Sequence, residues 1–134
     1  MVRFHHVSLS VNNLQRSLDF YKKLGFRQTK EWKQDDGSLT IVHITLEDLT
    51  LELFCYKEHQ KNSKNKTLEQ DLRLNGIKHF ALQVKSVQKM YEFCVEQNFE
   101  IAEPITNGRV VDKYFFVKDP DGIFVEFVED TQNS

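Results

Sequence analysis

Two stretches of the chain alternate between apolar and polar residues in the same way. Phe4-His5-His6-Val7-Ser8-Leu9-Ser10-Val11 and Ile77-Lys78-His79-Phe80-Ala81-Leu82-Gln83-Val84 each place a His third and a Val eighth, at an offset of 73 residues. Period-two alternation of this kind predicts a strand with one buried face. Each stretch is followed by a helical pattern with a capping residue at its start. Asn13 can cap Leu14 to Leu24, with Leu14, Leu18 and Tyr21 on one stripe, and Ser86 can cap Val87 to Gln97. The helices stop at Gly25 and Asn98, residue types that tolerate the left-handed conformation, and Phe26 or Phe99 follows. A βα unit is thus present twice.

Strand-like runs continue both halves: Ile41 to Leu46 and Thr50 to Tyr56 in the first, Tyr114 to Val117 and Ile123 to Val128 in the second. Asp35-Asp36-Gly37-Ser38 and Asp119-Pro120-Asp121-Gly122 carry the residues that tight reversals need, and Glu47-Asp48 suits a short hairpin. With weaker strands at Arg27 to Lys33 and Glu100 to Thr106, each half becomes a βαβββ unit in an α+β chain. The modules cover about residues 1–57 and 76–130 of a single domain, 1–134. The connector, about 58–75, is rich in Lys, Asn and Gln and reads as a solvated linker, with a lid as the alternative; Thr67-Leu68-Glu69-Gln70 can form a capping box on a short helix.

Strand parity selects the residues that can carry chemistry. Val7, Leu9 and Val11 face one way, leaving His6 and Ser8 on the other side; Phe80, Leu82 and Val84 leave His79 in the corresponding place. In the last strands Glu52 is flanked by Leu51 and Leu53, and Glu126 by Val125 and Phe127. A carboxylate among such neighbours is costly to bury unless a cation or strong donors compensate it. The His-to-Glu separations are 46 and 47 residues, so two similar modules place two His and two Glu in related positions. Imidazole nitrogen with carboxylate oxygen suits Ni, Co, Zn, Mn or Fe, and His6, Glu52, His79 and Glu126 are the candidate ligands of one divalent ion. His43 shares a face with Ile41 and Thr45 and is a candidate substrate contact, whereas His5 points away from His6 and reads as structural. Phe4, Phe54 and Phe124 suggest an apolar wall for a small organic ligand.

Composition narrows the partners. Eighteen basic and 20 acidic residues leave a net charge of -2, with no basic field for nucleic acid or anionic lipid. No apolar run approaches the roughly 20 residues that cross a bilayer, and the amino-terminal stretch alternates, so a cytoplasmic protein is expected. Apolar residues make up 40% of the 134, enough for a core without disulfides. Cys55 and Cys94 lie in apolar runs without CxxC spacing and read as buried free thiols.

Several motifs together resemble the glyoxalase / bleomycin resistance / extradiol dioxygenase superfamily, also called vicinal oxygen chelate proteins. They are His6-Val7 followed by residues 12–26 (NNLQRSLDFYKKLGF), the Glu52 strand, Gly76-Ile77-Lys78-His79, and Asp119-Pro120-Asp121-Gly122 leading to Val125-Glu126-Phe127. The resemblance implies two tandem βαβββ modules forming curved mixed sheets around a metal-binding cleft, and often a homodimer. The His, Glu, His, Glu order is similar to glyoxalase I, or lactoylglutathione lyase. That implies a metal-dependent lyase or isomerase in which the ion holds two substrate oxygens and stabilises an enediolate. Glu126 would then move the proton, with Glu52 as the alternative base. Extradiol dioxygenases use two His and one carboxylate on Fe(II), a set that Glu52 exceeds by one. A dioxygenase remains an alternative, as does a small-molecule or antibiotic-binding protein without turnover.

Glutathione-dependent glyoxalases carry an Arg shortly after the first His and an Asn after the first Glu. Ser8-Leu9-Ser10 and Leu53-Phe54-Cys55-Tyr56 stand here instead, which leaves the thiol cosubstrate open. Arg109 and Lys113 either hold an anionic substrate group or are ordinary surface charge.

Overall fold

A computed structural model describes residues 1–62 and 65–131. The elements run β1 (Val7–Ser10), α1 (Leu14–Lys23), β2 (Arg27–Lys33), β3 (Leu39–Leu46), β4 (Leu49–Tyr56), α2 (Leu68–Arg73), β5 (Phe80–Gln83), α3 (Val87–Glu96), β6 (Glu100–Asn107), β7 (Lys113–Lys118) and β8 (Phe124–Glu129). The chain divides into two compact units, residues 1–62 and 63–134. Each holds one four-stranded mixed sheet, ordered β1-β4-β3-β2 in the first and β5-β8-β7-β6 in the second. The first strand of each unit pairs parallel with the last, and the other pairs are antiparallel. This is the expected βαβββ plan, realised twice.

The helix starts follow the predicted capping chemistry. Asn13 Oδ1 accepts from the backbone of Arg16 at 3.0 Å, and Ser86 Oγ accepts from that of Lys89 at 3.1 Å. Gly25 at φ 103° and Asn98 at φ 60° turn the chain out of α1 and α3. The buried stripe of α1 is Ser17, Phe20 and Tyr21, with Leu14 and Leu18 half-buried at its border. The expected stripe was therefore rotated by part of a turn, because two adjacent aromatic rings cover more apolar surface than the leucines do.

Alternation along the strands builds the two cores. Val42, Ile44, Leu51 and Leu53 are buried in the first unit; Phe115, Val117, Val125 and Phe127 are buried in the second. β2 shows no buried residue, as an edge strand can. Cys94 is buried and Cys55 half-buried, both as free thiols. Burial pushes the Cys94 thiol up to about 12, so it stays protonated and packs as a small apolar group.

The reversals differ between units. At the β7–β8 turn the buried Asp119 accepts from the backbone of Asp121 at 2.8 Å and of Ile123 at 2.9 Å. The β3–β4 hairpin instead places Glu47 at φ 50°. Part of the expected connector, residues 63 and 64, lies outside the described residues. The remainder contains α2, whose capping box is formed: Thr67 and Gln70 exchange hydrogen bonds of 2.9 and 3.1 Å. Lys78 Nζ donates to the Asp71 carbonyl at 2.7 Å, tying this helix to the approach to β5. No described helix is long and apolar enough to cross a membrane.

Candidate metal-binding site

Both candidate histidines stand one residue ahead of a strand. β1 begins at Val7, opposite Leu51, and β5 begins at Phe80, opposite Val125. The first strand had been expected from Phe4. Its ladder with β4 starts later, which frees His6 from strand geometry and leaves Phe4 75% exposed.

In the first unit the sheet register lines up Ser8, Glu52 and His43 across three strands: Ser8 lies opposite Glu52 on β4, and Glu52 opposite His43 on β3. Cross-strand neighbours share a face, so the three side chains meet. Ser8 Oγ donates to Glu52 Oε1 at 3.1 Å, and His43 Nε2 lies 2.7 Å from Glu52 Oε2. His6 Nε2 approaches Oε1 at 3.2 Å. Its other nitrogen, Nδ1, lies 2.7 Å from Nδ1 of His5. The hydrogen bond with His43 holds the Glu52 carboxyl below its ordinary range; partial burial opposes this, while Ser8 and the nearby imidazoles add to it.

The second unit has the same row with different chemistry. Ala81, Glu126 and Phe116 stand where Ser8, Glu52 and His43 stand in the first. His79 Nε2 lies 3.1 Å from Glu126 Oε1, and neither Ala81 nor Phe116 has a side-chain donor to offer. Nδ1 of His79 is buried and has no hydrogen-bond partner among the described residues. Its ring stands edge-on to Phe116 at 4.8 Å, within an aromatic group that includes Tyr114 and Phe124.

Each unit thus offers a His–Glu pair formed by the His just ahead of its first strand, and the first unit adds His43 to its Glu52. Among the described residues, no three or more His, Cys, Asp or Glu side chains are gathered into a ready cage for an ion. Each pair taken by itself nonetheless has a spacing that suits coordination of an ion. Neighbouring ligands at right angles, each about 2.0–2.2 Å from an ion, lie about 3 Å apart, and the pairs are spaced at 3.2 and 3.1 Å. Nitrogen and carboxylate oxygen are also a donor set for borderline divalent ions.

The remaining candidates fall in separate places. His43 is committed to Glu52. Phe54 is half-buried on the Glu52 face of β4, and Phe124 is buried on the Glu126 face of β8 beneath Lys118, whose Nζ lies 5.4 Å from the ring centre. Arg109 is exposed in the loop between β6 and β7. Reasoning from sequence placed Ser8 on the His6 face but gave it no role, and gave His5 no part beside His6. Parity puts Ser8 on the same face as His6, two positions beyond it, but its place opposite Glu52 comes from the register of β1 with β4.

Comparison with known proteins agrees with this architecture. The chain belongs to the glyoxalase/bleomycin resistance protein/dioxygenase superfamily, whose family model matches residues 3–127. It is 28% identical over 132 residues to a lactoylglutathione lyase of Neisseria meningitidis, covering 96% of this chain and 91% of that protein. It is 27% identical over 135 residues to the mitochondrial methylmalonyl-CoA epimerase of Dictyostelium discoideum, covering 95% and 78% respectively. The crystal structure of a glyoxalase family protein from Enterococcus faecalis superimposes with a TM-score of 0.78 at 26% identity, covering 95% of this chain and 97% of that one.

Proposed function

We propose that this protein is a metal-dependent lyase or isomerase of the glyoxalase type, acting on a small oxygenated substrate, with a thiol–aldehyde adduct as the leading candidate. The observation that carries the reading is the repetition of a His Nε2–Glu carboxylate pair at 3.2 and 3.1 Å in equivalent places of the two units. In this proposal His6, Glu52, His79 and Glu126 are the protein ligands of one divalent ion. When bound, such an ion polarises substrate oxygens and acidifies a neighbouring C–H group. Glu126 takes that proton and returns it to the adjacent carbon. It suits the task because, among the described residues, His79 is its single side-chain hydrogen-bond partner, so a proton can be carried without breaking a network. Phe54 and Phe124 supply apolar wall, and Arg109 takes an anionic end of the substrate. Two relatives lend support, since lactoylglutathione and methylmalonyl-CoA are both thioesters of small acids.

The test is elemental analysis after loading with Ni, Co, Zn or Mn, followed by assay of methylglyoxal isomerisation with glutathione and with other thiols. One ion per chain, lost in Glu52→Gln, is expected. Glu126→Gln should lower turnover by roughly 10²–10⁴-fold, the usual contribution of a positioned proton-transfer group. Two ions per chain, each lost separately with one pair, would show two independent sites. No uptake under any loading would sink the reading.

A further inference from the structure

The two half-sites are not chemically equivalent, and the difference concentrates on one row of each sheet. Glu52 has both carboxylate oxygens engaged. Oε1 accepts from Ser8 at 3.1 Å with His6 3.2 Å away, and Oε2 is held by His43 at 2.7 Å. The side chains of His43 and Glu52 are only 16% and 18% exposed, so water replaces these contacts poorly. At the corresponding register positions around Glu126 stand Ala81 and Phe116.

A carboxylate that transfers a proton must swing between its resting position and the substrate carbon. Glu52 can do so only by giving up hydrogen bonds on both sides, whereas Glu126 gives up one. We infer that His43, assisted by Ser8, is a positioning residue that fixes Glu52 as a standing ligand and so confines proton transfer to Glu126. The inference rests on the proposed metal-dependent reading. It also gives His43 a role other than substrate contact: it touches the carboxylate and acts through it.

The experiment compares His43→Phe, which reproduces the second unit's arrangement, with His43→Gln, whose side-chain amide can still donate to Oε2. Affinity for zinc or nickel is measured by competition titration with a chromophoric chelator, and thermal unfolding confirms that both variants fold. His43→Phe should weaken metal binding by roughly 10–100-fold, the usual effect of removing a partner that orients a ligand. His43→Gln should restore most of that loss, and Ser8→Ala should cost less than His43→Phe. The second readout is turnover at saturating metal in the Glu126→Gln background, where adding His43→Phe should raise residual activity because Glu52 is then free to move.

Equal metal affinity in His43→Phe and the unaltered protein would overturn the inference while leaving the metal reading intact. So would a Gln variant as weak as the Phe variant, or residual turnover that fails to rise. An unaltered protein that binds no metal would remove the reading and this inference together.

Discussion

The first unit places its buried aromatic rings on the helix side of its core, and the second places its buried rings on the sheet, with Tyr91 of α3 half-buried against Phe115 at 5.4 Å. In the first, Phe20 and Tyr21 of α1 meet at 4.9 Å and Phe26 closes on Tyr21 at 5.5 Å, while the facing sheet positions Val42 and Leu53 are aliphatic. In the second, the paired positions are Phe115 and Phe127, stacked at 5.0 Å, and α3 buries the smaller Val87 and Cys94. A helix and a sheet must fill the space between them to near-crystalline density. The two units divide that volume in opposite ways under the same backbone plan. The repeat therefore conserves where each carboxylate stands on its last strand, but neither the packing beneath it nor the donors beside it.

That contrast can be broken most forcefully at the core. Phe127→Ala should cost roughly 3–5 kcal/mol, since it removes a fully buried ring and leaves Phe115 without its stacking partner. Leu53→Ala, at the matching place in the first unit, should cost roughly 2–5 kcal/mol and less than the Phe change. Urea titration of both variants reads the difference, and a larger loss for Leu53 would show that the first unit depends more on its sheet than its aromatic helix suggests. The caps should show the opposite, namely sameness. Asn13→Ala and Ser86→Ala each remove one side-chain acceptor from a helix start and should each cost about 1 kcal/mol.

The smallest effect concerns pH. The folded Glu52 titrates below its ordinary value of 4.5, so its contribution to stability is complete above that value and fades as pH falls through the lower, folded one. In metal-free protein the stability gap between the unaltered chain and Glu52→Gln should therefore narrow on acidification below about pH 4.5. A gap that stays constant across that range would mean His43 and Ser8 do not favour the ionised carboxylate.

Much of this was legible in the residues because it is governed by local rules. Period-two alternation located the strands, and Asn13, Ser86 and Thr67 announced the helix starts with the hydrogen bonds they form. The offset of 73 residues paired His6 with His79. What stayed hidden depends on register between distant segments. Nothing in the order of residues announces that β4 places Glu52 opposite both Ser8 and His43, because that follows from how three strands slide together. Likewise the rotation of α1 toward Phe20 and Tyr21 is decided by the sheet it covers, and Phe4 is exposed because β4 offers it no ladder.

The parallel pairing of the first strand with the last has a consequence for synthesis on the ribosome. His6 is made early in its unit and His79 early in the other, yet the carboxylate beside each arrives 46 or 47 residues later, after a helix and two intervening strands. An emerging chain consequently holds an imidazole with no acidic companion until β4 or β8 has slotted in beside the first strand, and neither His–Glu pair can exist in a half-made module. Under the proposed metal-dependent reading, capture of an ion by such a pair would be coupled to completion of the sheet, and the order in which the polypeptide is made would disfavour premature loading from the cell's labile metal pool.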